Sequence, residues 1–171
     1  MPAAAPAGRD RRDVAANGAG GAQAAPAVVL RLTVPGEFGA VRLALSQVMA
    51  ALDPLALTRE CRDATELVLA EVLNNIVEHA YARCTGPIEL DLRLEGQLLA
   101  CTVRDRGAPM PDGTPPSGRQ ALLDVPLADL PEGGFGWFLI RSLTRNIHYT
   151  RAADGNRLGF AIPIERGVPP G

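Results

Sequence analysis

Two neighbouring segments with alternating apolar and polar residues constrain the fold more than any other feature of this sequence. In residues 88–94 an isoleucine or leucine occupies every second position, and the turn Glu95-Gly96 then leads into a second apolar segment, Leu98–Asp105. Alternation places apolar side chains on one face of a strand, and a short turn containing glycine joins two such strands as an antiparallel hairpin. The chain is therefore predicted to form a sheet that is at least partly antiparallel and buried on one face.

The remaining elements follow from the same periodicities. Residues 28–34 alternate and end at Pro35-Gly36, which predicts a strand. Helical spacing predicts a helix over about 37–52 and a longer helix, capped by Thr58, that continues to about Ala82. A loop rich in Pro and Gly, residues 106–134, precedes a short helix over about 136–144 and a second hairpin, residues 147–151 and 157–164. This order predicts an α+β fold, a two-layer α/β sandwich whose mixed, mainly antiparallel sheet carries helices on one face.

Length and composition are those of one globular domain. The 171 residues and 47% hydrophobic content are enough for one folded domain, which we expect over residues 27–166, followed by a tail over 167–171. Residues 1–26 are rich in Ala, Gly, Pro and Arg and have no periodic apolar face, so we expect a disordered leader there. The basic residues are 17 arginines without a lysine, and 19 acids bring the net charge to −2, which argues against a general nucleic-acid or membrane-surface binder. The three cysteines form no CxxC pair and no apolar run approaches the length of a membrane span, so a soluble, cytoplasmic protein is predicted.

The first candidate motif lies on the long helix. Glu71, Asn75 and His79 recur at every fourth position and are predicted to share one face. An Asn oxygen can complete a Mg²⁺ shell together with phosphate oxygens, and a Glu one turn away can polarise an attacking hydroxyl. The alternative is a solvated Glu71 and a locally bonded Asn75, which is the more common outcome for an isolated pair of this kind.

The second motif, Asp105-Arg-Gly107-Ala-Pro109, stands where a predicted strand ends. A carboxylate at this place can accept a hydrogen bond from the exocyclic amine of adenine, and Gly107 allows the backbone a close approach to the ring. A simple DxG turn is the alternative.

The third motif is Gly133-Gly134-Phe135-Gly136, which leads directly into an apolar helix. Backbone N–H groups at a glycine-rich helix start can bind phosphate without a lysine. A tight turn without a ligand is the alternative, because the spacing is neither that of a Walker A loop nor that of a Rossmann fingerprint.

Together the three motifs resemble the anti-sigma-factor serine/threonine kinases of the histidine-kinase-like ATPase superfamily, in their N box, adenine-binding loop and second glycine box. The resemblance extends over about residues 28–164 and implies a Bergerat-type ATP-binding fold. It also implies Glu71 as the general base, Asn75 as the Mg²⁺ ligand and Asp105 as the adenine acceptor. The other nucleotide-binding positions that it implies are Gly107, Pro109, Gly133, Gly134, Phe135 and Gly136. His79 is expected to be structural, and Trp137 departs from the small aliphatic residue usual after the glycine box, where a large ring could crowd the nucleotide.

The function that the resemblance implies is partner switching. Such a protein binds Mg·ATP, phosphorylates a small anti-anti-sigma (STAS-type) partner, and in its other state holds a sigma factor away from RNA polymerase, with no direct contact to nucleic acid. A homodimer is possible, through about residues 28–52. The competing hypothesis is a binding module that uses ATP or ADP to set its shape and sequesters a partner without transferring phosphate. An intact Glu71 favours the kinase.

Overall fold

A computed structural model describes residues 25–118 and 135–167 of the chain. Five strands form one sheet in the order β1-β2-β3-β5-β4. Their bounds are β1 Ala27–Pro35, β2 Pro87–Glu95, β3 Leu98–Asp105, β4 Arg145–Ala152 and β5 Gly155–Pro163. All four strand pairings are antiparallel. The predicted α+β sandwich is therefore confirmed, with one correction: among the described strands the sheet is antiparallel throughout and not mixed.

The described part of the chain contains three α-helices in the predicted order, with bounds α1 Phe38–Leu52, α2 Arg59–Asn75 and α3 Phe135–Leu143. The core lies between these helices and one face of the sheet, because the inward positions of the central strands are buried: Ile88, Leu90 and Leu92 of β2, Leu99, Cys101 and Val103 of β3, and Leu158, Phe160 and Ile162 of β5. The other face of the sheet carries polar residues. The alternation that predicted the hairpin thus separates a helix-covered face from an open one.

Helix α2 ends earlier than its periodicity predicts. Its N-cap is Thr58, whose Oγ1 accepts a hydrogen bond from the Cys61 N–H at 3.3 Å, as the capping pattern predicts. It ends at Asn75 and passes into a five-residue π turn, Ile76–Ala80, closed by a 2.9 Å bond from the Tyr81 N–H to the Ile76 carbonyl. The predicted strip of three residues is therefore corrected: Glu71 and Asn75 share a face of α2, whereas His79 lies exposed on the π turn, where the 3.6-residue period no longer holds.

The segment after β5 lies against the start of α2. Beyond β5, the Gly167 N–H donates to the Ala56 carbonyl at 2.7 Å and Arg166 forms a bridge with Leu57, at the start of α2. Most of the predicted leader, all of the tail after Gly167 and residues 119–134 of the predicted loop lie outside the described residues. Within the described residues no helix is both long enough and apolar enough to cross a membrane.

Candidate nucleotide site

The last turn of α2 and the first turn of α3 bring three of the predicted site residues together. A β-carbon placed on Gly136 would collide with Oε2 of Glu71 and would lie 3.8 Å from Nδ2 of Asn75. Only a residue without a side chain allows the backbone of α3 to lie this close to both groups. The carboxylate and the carboxamide of the N box therefore face the start of the helix that follows the glycine box.

The Asn75 side chain has unused hydrogen-bonding capacity. Its Nδ2 is buried and finds no partner within residues 25–118 and 135–167. A buried polar group without a partner costs about 1–3 kcal/mol, and such a cost is uncommon unless a ligand repays it. The structure thus disfavours the alternative in which Asn75 bonds locally, and it leaves the amide available to a ligand.

Asp105 lies at the end of β3 with only 7% of its surface exposed. Its Oδ1 accepts two hydrogen bonds, from the Gly107 N–H at 2.8 Å and from Nδ2 of Asn156 at 2.7 Å. Burial raises the pKa of this carboxyl above its usual value, against the opposing effects of those two bonds and of the nearby Arg151. Because both bonds end on Oδ1, Oδ2 is the acceptor that remains for a ligand.

Gly107 is required for a contact that the sequence did not reveal. A β-carbon at this position would collide with the backbone carbonyl of Ala80, at the end of the π turn. The adjacent Ala108 N–H donates to that same carbonyl at 2.8 Å. The glycine therefore lets the loop after Asp105 lie against the end of the N-box helix. This contact is a reason for glycine that is independent of any approach to an adenine ring.

Asn156 is the most connected residue of the site, and sequence reasoning did not single it out. This buried side chain donates from Nδ2 to Oδ1 of Asp105 and, at 2.9 Å, to the Ala108 carbonyl. Its Oδ1 accepts from the Tyr149 hydroxyl at 2.6 Å and from Nη1 of Arg151 at 2.9 Å. Asn156 therefore ties the loop that begins at Asp105 to the hairpin of β4 and β5. Asn156 of β5 lies directly opposite Asp105 of β3. A correct prediction of which strand pairs with β3 would therefore have identified it.

Two tyrosines hold the same loop from its other sides. The Tyr81 hydroxyl accepts from the Arg106 N–H at 3.0 Å and donates to the Pro87 carbonyl at 2.6 Å. Burial raises the pKa of Tyr81, so its hydroxyl keeps the proton that it donates. The Tyr149 hydroxyl accepts from the Met110 N–H at 3.0 Å. The backbone from Asp105 to Met110 is therefore fixed at several points before any ligand arrives.

The start of α3 supplies the remaining predicted positions. Gly133 and Gly134 lie outside the described residues, whereas Phe135 is 59% exposed on the first turn and its ring centroid lies 5.8 Å from that of Phe138. Pro109 is exposed within the loop after Asp105. Trp137 is 6% exposed and belongs to the hydrophobic core. The large ring at this position therefore packs inside the protein.

The residues of this site suit a divalent cation that is shared with a ligand. Within the described part of the chain, no cluster of three or more His, Cys, Asp or Glu could hold a metal ion alone. Mg²⁺ prefers oxygen ligands and commonly takes one or two from protein while phosphate and water supply the others. Asn75 beside the Glu71 carboxylate fits that pattern by residue type, because its side chain has one neutral oxygen next to a charged neighbour at a helix start. Its Nδ2, which has no partner among the described residues, is a donor and suits a phosphate oxygen, not the cation.

Comparison with known proteins gives consistent results. The histidine kinase-like ATPase domain family matches residues 34–162. Serine-protein kinase RsbW of Halalkalibacterium halodurans is 31% identical over 121 residues, which is 67% of this chain and 70% of that protein.

A solved structure has the same fold. It comprises the RsbU and RsbW domains of Rv1364c from Mycobacterium tuberculosis, and it superposes with a TM-score of 0.57 at 19% identity, over 83% of this chain and 33% of that one. This chain therefore spans about a third of the length of the solved chain, and at this identity the likeness establishes the fold alone.

Proposed function

The chain belongs to the family of histidine kinase-like ATPase domains, and from this membership we propose that it binds ATP with Mg²⁺ and phosphorylates a protein partner on serine or threonine. One observation carries the proposal: Gly136 lies against Glu71 and next to Asn75, whose Nδ2 has no partner in the part of the chain that the structure describes. A base, a metal ligand and a helix start are the parts that phosphoryl transfer needs, because this reaction depends mainly on positioning and on neutralising charge.

Each site residue has a distinct role in this proposal. Asp105 accepts a hydrogen bond from the exocyclic amine of adenine through Oδ2, with Gly107 and Pro109 in the same loop. The Asn75 oxygen would hold Mg²⁺, and the bound ion would supply the positive charge that neutralises the phosphates. Gly133, Gly134, Phe135 and Gly136 surround the phosphates with backbone N–H groups at the start of α3. Glu71 accepts the proton of the attacking hydroxyl.

The proposed partner is an anti-anti-sigma protein of the STAS type. Support comes from the relative named serine-protein kinase RsbW. In the unphosphorylated state of that partner, the two proteins would associate and a sigma factor would be free; after phosphorylation, this protein would bind the sigma factor instead. We place this partner-switching regulation of transcription in the cytoplasm, and a homodimer would form through β1 and α1, where Val28, Phe38 and Leu43 are exposed.

The test compares Glu71→Gln with the parent protein. Gln keeps the shape and one hydrogen-bonding oxygen but lacks basicity, so Mg·ATP should bind nearly as well while phosphate transfer slows at least about a hundredfold. Transfer of labelled γ-phosphate to STAS-type proteins measures the rate, and calorimetry measures nucleotide binding. Glu66→Gln, at an exposed position of the same helix, is the matched control and should behave as the parent.

Two results would change the assignment. Parental rates of transfer by Glu71→Gln would remove Glu71 from the role of base. No transfer by the parent to any partner, while ATP still controls partner binding, would replace the kinase by the nucleotide-dependent binding module.

A further inference from the structure

A cleft lies on the open face of the sheet, away from the helices. It has a volume of about 420 Å³ and is formed where β2, β3, β5 and β4 come to the same end of the sheet. Three arginines line it: Arg104, Arg106 and Arg157. None of them belongs to the proposed nucleotide site. Two carboxylates, Glu89 and Asp154, lie along the same cleft, and Asp105 lines it with its side chain on the buried side, so the cleft has three cations beside two facing acids.

Two of these arginines face each other across the sheet. Arg104 of β3 pairs in register with Arg157 of β5, and both side chains belong to the open face. Like charges directly opposite on antiparallel strands destabilise a sheet. Within the described residues Arg157 makes no ion pair, and Arg104 has only Glu89 at 3.9 Å, a distance too long for a hydrogen bond. Glu89 offsets part of this repulsion at Arg104, and an added anion beside Arg157 would offset the rest.

The same sheet face shows how two arginines hold a carboxylate. Asp91 accepts from Nε of Arg31 and from Nε of Arg93, both at 2.8 Å. The hydrogen bonds from Arg93 and, to a smaller extent, from Arg31 hold the pKa of Asp91 below its usual value. The Asp91 site is complete within the protein. In the Arg104–Arg157 pair, Glu89 lies opposite Arg104 on β2, whereas Arg157 makes no ion pair among the described residues.

We propose that this cleft binds a carboxylate-bearing segment, rich in Asp or Glu, of a protein partner. Arginine presents its donors in a planar fork that matches a carboxylate. Glu89 and Asp154 also line the cleft, and their charges oppose the continuous phosphates of a nucleic acid while they can accept hydrogen bonds from a peptide backbone. The charge pattern therefore favours a peptide in which acids alternate with neutral groups.

The cleft shares structural residues with the proposed nucleotide site. Asp105, Gly155 and Asn156 lie along it, and a β-carbon on Gly155 would collide with the backbone carbonyl of Asp105. The Asp105 side chain points to the buried side of the sheet and bonds Asn156 there. A segment in the cleft therefore contacts the same strand ends that hold the adenine loop. Its binding does not require phosphate transfer, so it can be tested by itself.

The experiment uses a short fluorescent peptide of Asp and Glu separated by Ser, with an Asn/Gln peptide of the same length as the neutral reference. Anisotropy at low ionic strength should show binding of the acidic peptide by the parent protein and much weaker binding of the neutral one. Arg157→Glu should weaken binding at least about tenfold, since it replaces one attraction by a repulsion. It also places opposite charges across β3 and β5, so the variant should unfold at no lower temperature than the parent.

Arg59→Glu, which makes the same charge change at an exposed position in the first turn of α2, is the control and should bind the acidic peptide as the parent does. Several results would overturn the proposal. They are equal affinities of the parent and Arg157→Glu, equal binding of the acidic and neutral peptides, and no binding of the acidic peptide by the parent. If the cleft binds inorganic phosphate or a DNA duplex and does not bind the acidic peptide, the proposal is overturned and the cleft is assigned to that ligand.

Discussion

Replacement of Asp105 by asparagine removes one negative charge and one hydrogen-bond acceptor while the shape of the side chain is kept. In the protein without ligand, an asparagine oxygen can take the place of Oδ1 and accept from the Gly107 N–H and from Nδ2 of Asn156. The new amide nitrogen then occupies the place of Oδ2. The internal bonds of the loop are therefore preserved, and the change falls on the position that would face adenine.

The cost to adenine binding follows from this count of acceptors. Once adenine is bound, both positions of the carboxylate need an acceptor: the Oδ1 position faces two N–H donors of the protein, and the Oδ2 position faces the adenine amine. Asparagine has only one acceptor oxygen. In either orientation, its amide NH2 group therefore faces another donor. Leaving a buried donor unpaired costs about 1–3 kcal/mol, which corresponds to about a 5- to 150-fold loss of affinity. We expect Asp105→Asn to lower the affinity for ADP within that range.

The stability of the protein should change in the opposite direction. Burial raises the pKa of Asp105 in the folded state above its ordinary value of 3.8. A raised pKa means that the carboxyl's contribution to stability is complete below 3.8 and is lost as the pH rises through the folded-state value. At neutral pH the parent therefore carries the cost of a buried charge that the variant lacks. Asp105→Asn should unfold at an equal or higher denaturant concentration at neutral pH, and its advantage should shrink as the pH falls toward 3.8.

Calorimetry with ADP and urea unfolding at several pH values measure the two effects separately. Asp63→Asn, at an exposed position in the first half of α2, makes the same chemical change away from the site and should alter neither quantity by much. Equal affinities of the parent and Asp105→Asn for ADP would refute the assignment of Oδ2 to adenine. A variant that is clearly less stable than the parent at neutral pH would refute the argument from burial.

Two further substitutions test the contacts that hold the site together. Gly136→Ala places a methyl group where Oε2 of Glu71 lies, so the rate of labelled phosphate transfer should fall at least about tenfold. The thermal unfolding temperature should change little, because the displaced group is the end of a flexible side chain. Asn156→Ala removes the two N–H donors to Asp105 and Ala108 and the acceptor for Tyr149. Urea unfolding should show that the free energy of unfolding falls by about 2–4 kcal/mol. A decrease below about 1 kcal/mol would contradict the anchoring role of Asn156.

Periodicity was sufficient to predict the fold. Both hairpins, the two long helices and the short helix occur in the predicted order, because alternation and helical spacing report directly on which side chains are buried. The end of α2 was not predicted, since the sequence from Ile76 to Ala80 continues an apolar pattern that suits an α-helix as well as a π turn. Propensity does not distinguish an i+4 from an i+5 hydrogen bond, and the choice depends on what the last turn contacts.

The site residues could be identified only where their local sequence was distinctive. An acid at a strand end, glycines before an apolar helix, and Glu with Asn one turn apart are visible in one dimension. Asn156 was not identified from the sequence, because its role depends on Asp105 and Ala108, more than 45 positions earlier in the chain. Its importance follows from the pairing of β3 with β5, and that pairing was not part of the sequence prediction.

The π turn explains why the N-box helix and the loop after Asp105 keep fixed positions relative to each other. Its last carbonyl, that of Ala80, accepts from Ala108, and Gly107 lies against the same group. The N-box helix and the loop after Asp105 are therefore joined by direct backbone contact, so Asn75 and Asp105 belong to one unit. Helix α3 meets that unit near the N box through Gly136, which has no side chain. A change of α3 relative to the unit would alter the surroundings of Glu71 and leave Asp105 in place, and for this reason adenine recognition and phosphate transfer should respond to different substitutions.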